Sequence, residues 1–136
     1  MFKYLEKRKI PLVYVPLILY WILLLIATSL PAKDMPPVGI YDKFEHFGGF
    51  FVLSVLLSLS FLYQNKYPLF KKYFWLSGFL LVCLYAGLDE IHQLFIPGRD
   101  CDILDWTADA IGALIGVILV LFLLKLFKFK AGLQKA

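Results

Sequence analysis

The segment from Asp89 to Gly116 reads DEIHQLFIPGRDCDILDWTADAIGALIG. It places acidic, amide and imidazole side chains at the end of one apolar run, then a Pro-Gly-Arg turn, then further carboxylates at the start of the next apolar run. Charge is costly in hydrocarbon, so ionisable residues within apolar segments indicate a functional site by default. We interpret the rest of the chain as the frame that holds this helical hairpin.

The composition is that of a membrane protein. The chain has 136 residues, of which 61% are hydrophobic, and its mean hydropathy is +0.77. A soluble domain is less apolar, and runs of about 20 apolar residues match the thickness of a bilayer core. Helices that satisfy their own backbone hydrogen bonds are the structures that cross lipid in this way. The sequence predicts a single all-α membrane domain over residues 1–136 and no nucleic-acid partner.

Four transmembrane helices are predicted. The first follows a basic N-terminus, which is also typical of a signal peptide, but its apolar run exceeds the roughly 7–15 residues of such a region, so an uncleaved anchor is predicted. Asp42, spaced from Glu45 as in a capping box, opens the second helix, and Asp102 is expected to cap the fourth. The predicted spans are about 11–30, 43–63, 73–95 and 103–124.

The distribution of basic residues predicts the topology. Eleven of the fourteen lie in the N-terminus, the 64–72 loop and the C-terminal tail, whereas Lys33, Lys43 and Arg99 lie at the opposite helix ends. Basic loops remain cytoplasmic. We therefore expect two helical hairpins in a cell membrane, both termini in the cytoplasm, and the acidic segment at the outer face.

Polar side chains on three predicted helices converge at that outer face. Asp42, Lys43 and His46 lie in the first turns of the second helix, and Asp89, Glu90 and Gln93 lie near the end of the third. On the fourth helix, Asp105, Asp109, Gly112 and Gly116 follow a single stripe, and glycines at this spacing let a neighbouring helix approach closely. The pattern predicts a small polar pocket that is closed on one side by apolar packing.

The residue types suggest two chemistries for this pocket. Lys43 and Arg99, with Gln93, would hold a phosphate or carboxylate group beside the helix N-termini. The carboxylates would bind a divalent cation or act in acid–base chemistry, and no specific metal motif identifies an ion. The candidate catalytic residues are His46, Glu90 and Asp105, and the candidate metal ligands are Asp89, Glu90, Asp105 and Asp109.

Structural roles are the alternative for the same residues. Asp42 and Asp102 are predicted to act as helix caps, and Gly112 and Gly116 as helix-packing residues. A hydrogen bond from His46 to Asp42 would satisfy both side chains. The remaining carboxylates would then join helices through hydrogen bonds, with Arg99 as their counter-ion.

Taken in order, four motifs resemble those of the VanZ-like membrane proteins, over about residues 11–124. They are Asp42-Lys43-x-x-His46, Glu90-x-x-Gln93, Pro97-Gly98-Arg99, and Asp105 leading to Gly112 and Gly116. The resemblance implies action at the outer leaflet and low-level resistance to the glycopeptide antibiotic teicoplanin. At position 109 this chain carries an acidic residue where some relatives have asparagine.

Three hypotheses follow from the residues and the resemblance together. The chain modifies an envelope lipid or a lipid-linked cell-wall intermediate, with Glu90 or Asp105 as base or metal ligand. Alternatively, it binds such a lipid or the antibiotic without catalysis. In the third hypothesis it is a scaffold or transport accessory whose polar cluster orders the helices. The sequence leaves the substrate, the metal and the oligomeric state open.

Overall fold

The computed structural model describes residues 2–31 and 40–133, and within them the side chains of residues 4–31 and 42–127. Helices and short turns make up this part of the chain. The helices are α1 Phe2–Lys7, α2 Val15–Thr28 with a preceding π-helical turn Ile10–Tyr14, α3 Ile40–Tyr63, α4 Pro68–Lys72, α5 Phe74–Gln93 and α6 Ile103–Leu133.

Four segments in the described part are helical, long and apolar enough to cross a membrane: Ile10–Thr28, Asp42–Tyr63, Phe74–Gln93 and Ile103–Phe127. This confirms the predicted all-helical class and the four apolar helices, whose ends lie within three residues of the predicted ones. The hairpin arrangement and the sides of the termini remain predictions. Lys3 and the loop around Lys33 lie outside the described side chains.

The first span begins with a π-helical turn, and Pro16 explains why this turn forms. Val15 donates its backbone N–H to the carbonyl oxygen of Ile10, five residues earlier. Pro16 cannot donate a backbone hydrogen bond, and its ring would clash with the carbonyl group four residues before it. A wider turn directly before Pro16 relieves that clash, so the kink predicted by a mid-helix proline takes the form of a π turn.

Helices α3 and α6 form the closest contact in the fold, and glycines permit it. A Cβ atom added to Gly112 would collide with the carbonyl oxygen of Phe47, and one added to Gly116 would lie 2.7 Å from that of Phe51. The helix backbones therefore touch along the predicted glycine stripe. Ser54 uses this proximity to donate a 2.7 Å hydrogen bond to the carbonyl oxygen of Ala113.

An apolar core connects this pair to the other helices. Side chains from α2, α3, α5 and α6 contribute to it, and large leucine and isoleucine side chains elsewhere on the helices are exposed, as a lipid-facing surface requires. Trp21 packs edge-on against Tyr85 at 5.1 Å between ring centroids, which joins α2 to α5. The buried core residues are Leu17, Phe50, Leu53, Leu57, Val82, Ala86 and Ala113.

The connection between α5 and α6 brings their charged ends together. Gly98 has φ of 78°, a left-handed conformation that disfavours residues with a Cβ atom. This turn allows α6 to begin at Ile103, next to the end of α5. The start of α3, the end of α5 and the start of α6 thus form one end of the bundle, called here the charged end.

Candidate functional site

Three ionisable side chains from three helices meet in the interior at the charged end. His46 of α3 lies with its Nδ1 atom 3.1 Å from Asp109 Oδ1 on α6 and 3.9 Å from Glu90 Oε1 on α5. The exposed fractions of these side chains are 7% for His46, 4% for Glu90 and 0% for Asp109. We call these three residues the central cluster. It belongs to segments that could span a membrane.

A second layer of hydrogen bonds extends from the central cluster toward α2. Gln93 donates through Nε2 to Glu90 Oε1 at 3.4 Å and to Asp89 Oδ2 at 3.3 Å. Thr28 donates to the other oxygen of Asp89 at 2.8 Å. Because its amide nitrogen is engaged with two carboxylates, Gln93 orients acidic groups. Its predicted role in anion binding remains a prediction.

Glu90 also closes the connection between α5 and α6. Its Oε2 atom accepts a 2.9 Å hydrogen bond from the backbone N–H of Asp102. One carboxylate oxygen thus faces the cluster while the other holds the residue that precedes α6. The position of Glu90 is fixed from both sides.

Lys43 lies one helical turn before His46 and forms a separate ionic group, called here the Lys43 bridge. Its Nζ atom lies 2.7 Å from Asp105 Oδ1 and 2.9 Å from Asp102 Oδ2. Asp102 Oδ1 accepts the backbone N–H of Leu104 at 2.8 Å, the contact that an N-cap residue makes. This hydrogen bond, together with Lys43, holds the pKa of Asp102 below its ordinary value of 3.8.

Arg99 and Asp42 form a looser pair on another side of the charged end. The guanidinium Nη1 atom lies 3.9 Å from Asp42 Oδ1, and Nε donates to the carbonyl oxygen of Leu30 at 3.4 Å. Since α3 begins at Ile40, two residues before the start that the capping-box spacing predicted, Asp42 lies inside its first turn. The ionic contact of Arg99 is thus longer than those of Lys43, and the roles of both residues in anion binding remain predictions.

A pocket of about 70 Å³ lies between α2, α3 and the turn that carries Arg99. His46 is the member of the central cluster that reaches it, and the other polar lining residues are Thr28, Asp42, Glu45 and Arg99. Its apolar lining residues are Leu24, Ala27 and Phe50. The pocket thus gives a ligand of mixed character access to the cluster.

The structure separates residues that the sequence analysis grouped together. His46 forms its hydrogen bond with Asp109, and not with Asp42 as the structural alternative predicted. Asp105, a candidate base, is held by Lys43, and Asp89 is held by Thr28 and Gln93. The compact set is therefore His46, Glu90 and Asp109.

Two residues at the end of α2 were missed by the sequence analysis. Thr28 binds Asp89, and Ser29 Oγ lies 3.1 Å from His92 Nε2. Two hydroxyl residues at the end of an otherwise apolar run were the available signal. They join α2 to α5 at the charged end.

The charges of the described residues do not balance around the central cluster. Lys43 pairs with both Asp105 and Asp102, which leaves one negative charge in excess there, and Arg99 pairs with Asp42. For the buried carboxylates Asp89, Glu90 and Asp109, the described ion pairs include one basic partner, His46. In addition, Asp109 Oδ2 is buried without a hydrogen-bond partner among the described residues. Such a group favours protons or a cation.

The fold and this site define a class: a small multi-pass helical membrane protein with a buried His–Glu–Asp cluster. The model of the VanZ/LLP1 family matches residues 10–125, and the chain belongs to that family. The matched segment includes all four membrane-crossing helices except the last two residues of the fourth, together with every residue of the central cluster. No curated protein and no solved structure matches the chain.

Proposed function

We propose that this protein acts at the outer leaflet of the bacterial membrane on an anionic envelope lipid or lipid-linked cell-wall intermediate, with the central cluster as its reactive centre. Low-level tolerance of teicoplanin is the cellular effect we assign to it. The observation that carries the proposal is the burial of His46, Glu90 and Asp109 together beside a pocket that Arg99 lines.

The distribution of charge supports the outward orientation. Lys66, Lys71 and Lys72 lie in the connection between α3 and α5, and Lys7 and Arg8 lie at the same end of the bundle, away from the central cluster. The positive-inside rule assigns that end to the cytoplasm. The charged end then meets the outer leaflet, where lipid-linked cell-wall intermediates are found.

Arg99 and the apolar lining of the pocket support an anionic, partly apolar ligand, which Arg99 would hold away from the lining carboxylates of Asp42 and Glu45. Arg99 offers planar donors that suit a phosphate or carboxylate group, and its present ionic contact to Asp42 is long at 3.9 Å. The neighbouring Leu24, Ala27 and Phe50 suit the first part of a lipid chain. A headgroup held at Arg99 would have His46 within the same pocket.

The burial of the central cluster supports a chemical role for these residues over a purely structural one. Buried charges are expensive unless they are paired and hydrogen-bonded, and here a carboxylate oxygen of Asp109 is left without such a partner. Perturbed ionisable groups of this kind collect at functional sites. In the Lys43 bridge, in contrast, each charged side chain has an ionic partner at the charged end.

The proposal is tested by the teicoplanin inhibitory concentration of a susceptible Gram-positive host that expresses the intact protein or its Glu90→Gln variant. Glutamine keeps an oxygen that can accept the Asp102 N–H, so the turn is preserved while the charge is removed. We expect tolerance to rise with the intact protein and to return to the host's baseline with Glu90→Gln.

Glu6→Gln is the matched control, because Glu6 is exposed in α1 at the other end of the bundle. It should retain full tolerance, and vancomycin should show little change throughout. Membrane levels of all forms are measured by immunoblot, and inhibitory concentrations are compared at matched levels. Equal tolerance with Glu90→Gln and with the intact protein would contradict a reactive role for the cluster.

Binding without catalysis is the second candidate, and the apolar part of the pocket lining favours it. In that case, the Arg99→Gln variant would lose tolerance while Glu90→Gln kept it. The two variants therefore distinguish modification of a ligand from its retention. A scaffold role would instead show as loss of membrane levels in both variants.

A further inference from the structure

We propose that His46, Glu90 and Asp109 form a three-ligand site for a divalent transition-metal ion. The inference rests on the proposed function, since it names the ligand of the same cluster. Metal binding is nevertheless measured without any cellular activity, so the two proposals can fail separately.

The distances in the central cluster fit such an ion. One ligand atom from each of the three residues lies within 4.8 Å of the other two. A tetrahedral ion with ligand bonds of 2.0–2.2 Å separates its ligand atoms by roughly 3.3–3.6 Å. The separations of 3.1 Å and 3.9 Å from His46 Nδ1 to Asp109 and Glu90 lie on either side of that range. Small side-chain rotations would therefore bring the ligand atoms to the separations that a tetrahedral ion requires.

A second, independent observation points to a missing ligand. Asp109 is 0% exposed, and its Oδ2 atom has no hydrogen-bond partner among the described residues. Oδ2 belongs to the carboxylate whose Oδ1 contacts His46, so the unsatisfied oxygen lies at the cluster itself. A bound cation would satisfy this oxygen and offset the surplus of buried carboxylates.

A competing set of ligands shares His46 but is less suitable. Asp42, His46 and Asp105 also offer ligand atoms within 4.8 Å of one another. However, Asp42 is paired with Arg99 and Asp105 with Lys43. An ion there would have to displace two existing cationic partners, whereas the central cluster has none to displace apart from a proton.

The ligand types indicate the class of metal. One imidazole nitrogen with two carboxylates suits zinc, manganese or iron(II), whereas Mg²⁺ prefers oxygen ligands and water. Three protein ligands leave a fourth position for water, which is the pattern of catalytic zinc sites. Surrounding hydrogen bonds already orient the ligands: Gln93 donates to Glu90, and the Asp102 N–H holds its other oxygen.

The test is equilibrium dialysis of ZnCl₂ against the full chain in detergent micelles, after treatment with EDTA and removal of any affinity tag. We expect one Zn²⁺ per chain, which a large excess of Mg²⁺ does not displace. Co²⁺ substituted into the intact protein should give the intense visible absorption of a tetrahedral site. The absence of both saturable Zn²⁺ binding and a tetrahedral Co²⁺ spectrum in the folded intact protein would overturn the proposal.

Substitutions then locate the ion. Asp109→Asn and Glu90→Gln should each weaken Zn²⁺ binding at least about tenfold, as changes around metal ligands do. Asp42→Asn is the matched control and should leave binding unchanged. Circular dichroism and gel filtration confirm that each variant is folded. Loss of binding in Asp42→Asn, with binding retained in Glu90→Gln, would overturn the assignment in favour of the competing set.

The outcomes for the two proposals remain distinct. Zn²⁺ binding without a teicoplanin effect leaves the metal site established and removes the proposed cellular function. A teicoplanin effect that depends on Glu90, in a protein that binds no Zn²⁺ or Co²⁺, removes the metal site and leaves acid–base chemistry at the cluster.

Discussion

The Lys43 bridge and the central cluster lie one helical turn apart on α3 and contain similar groups, but their surroundings differ. In the bridge, the side chains of Lys43 and Asp102 are 37% and 40% exposed, and that of Asp105 is 9% exposed. In the central cluster, the side chain of Asp109 is 0% exposed. Exposed ion pairs contribute little net free energy, whereas removing one partner of a buried pair leaves an uncompensated charge. Burial, more than the types of charge, is expected to decide which group matters.

The largest effect should follow from removing a buried partner. Asp109→Ala leaves His46 without its hydrogen-bond acceptor, and we expect the free energy of unfolding to fall by about 3 kcal/mol. Titration with SDS in mixed micelles, followed by circular dichroism, measures it. A change below about 1 kcal/mol would show that the central cluster behaves like an exposed group, and the comparison would fail.

The close approach of α3 and α6 should rank next, because it is what buries the central cluster. Gly112→Ala forces a Cβ atom against the carbonyl oxygen of Phe47, and we expect a loss of about 1–3 kcal/mol. Gly48→Ala is the matched control, since an added Cβ atom there meets nothing within 4 Å. That control should be neutral or more stable, because alanine favours helix over glycine. Equal losses in both variants would mean that helix contact is not the cause.

The Lys43 bridge should respond more weakly. Lys43→Met keeps much of the apolar stem but leaves the largely buried Asp105 without its cationic partner. Because Lys43 itself is partly exposed, we expect the free energy of unfolding to fall by about 1–2 kcal/mol. Raising the salt concentration should narrow the difference between the two proteins, since the pair is partly exposed. SDS titrations in low and high salt measure this. A salt-independent loss as large as that of Asp109→Ala would contradict the comparison.

The smallest effect should be the pH dependence contributed by Asp102. Its pKa is lowered in the folded protein, so its contribution to stability is present above the ordinary value of 3.8 and is lost as the pH falls through the lowered value. Asp102→Asn should therefore be less stable than the intact protein at neutral pH, and this difference should vanish in strong acid. Unfolding of both proteins from pH 7 to about pH 1 measures it, and a constant difference over this range would contradict the assignment.

The sequence predicted the helices well because their signals are local. Apolar runs, prolines and terminal charges set the four spans to within three residues. The glycine stripe also predicted a close helix contact, and Gly112 and Gly116 meet the backbone of α3. The π turn before Pro16 could not be derived, because proline alone does not determine how a helix relieves its clash.

Pairings between helices were harder to predict. The residues of the charged end were recognised, but the spacing along one helix does not give its rotation relative to another. The hydrogen bond between His46 and Asp109 depends on that rotation, and so do the ion pairs of Lys43 with two aspartates. Thr28 was missed for the same reason, since its partner Asp89 lies 61 residues away in the chain.

The hydrogen bond from the Asp102 N–H to Glu90 limits which residues position 90 can accept. The side chain must span the turn and reach the interior at the same time. Aspartate has the right charge but is one methylene group shorter. It would therefore lose either the hydrogen bond from the Asp102 N–H or the contact with His46. Glutamine has the right length and the wrong charge. Natural variants with aspartate or glutamine at position 90 would thus show which requirement, side-chain length or charge, is no longer under selection.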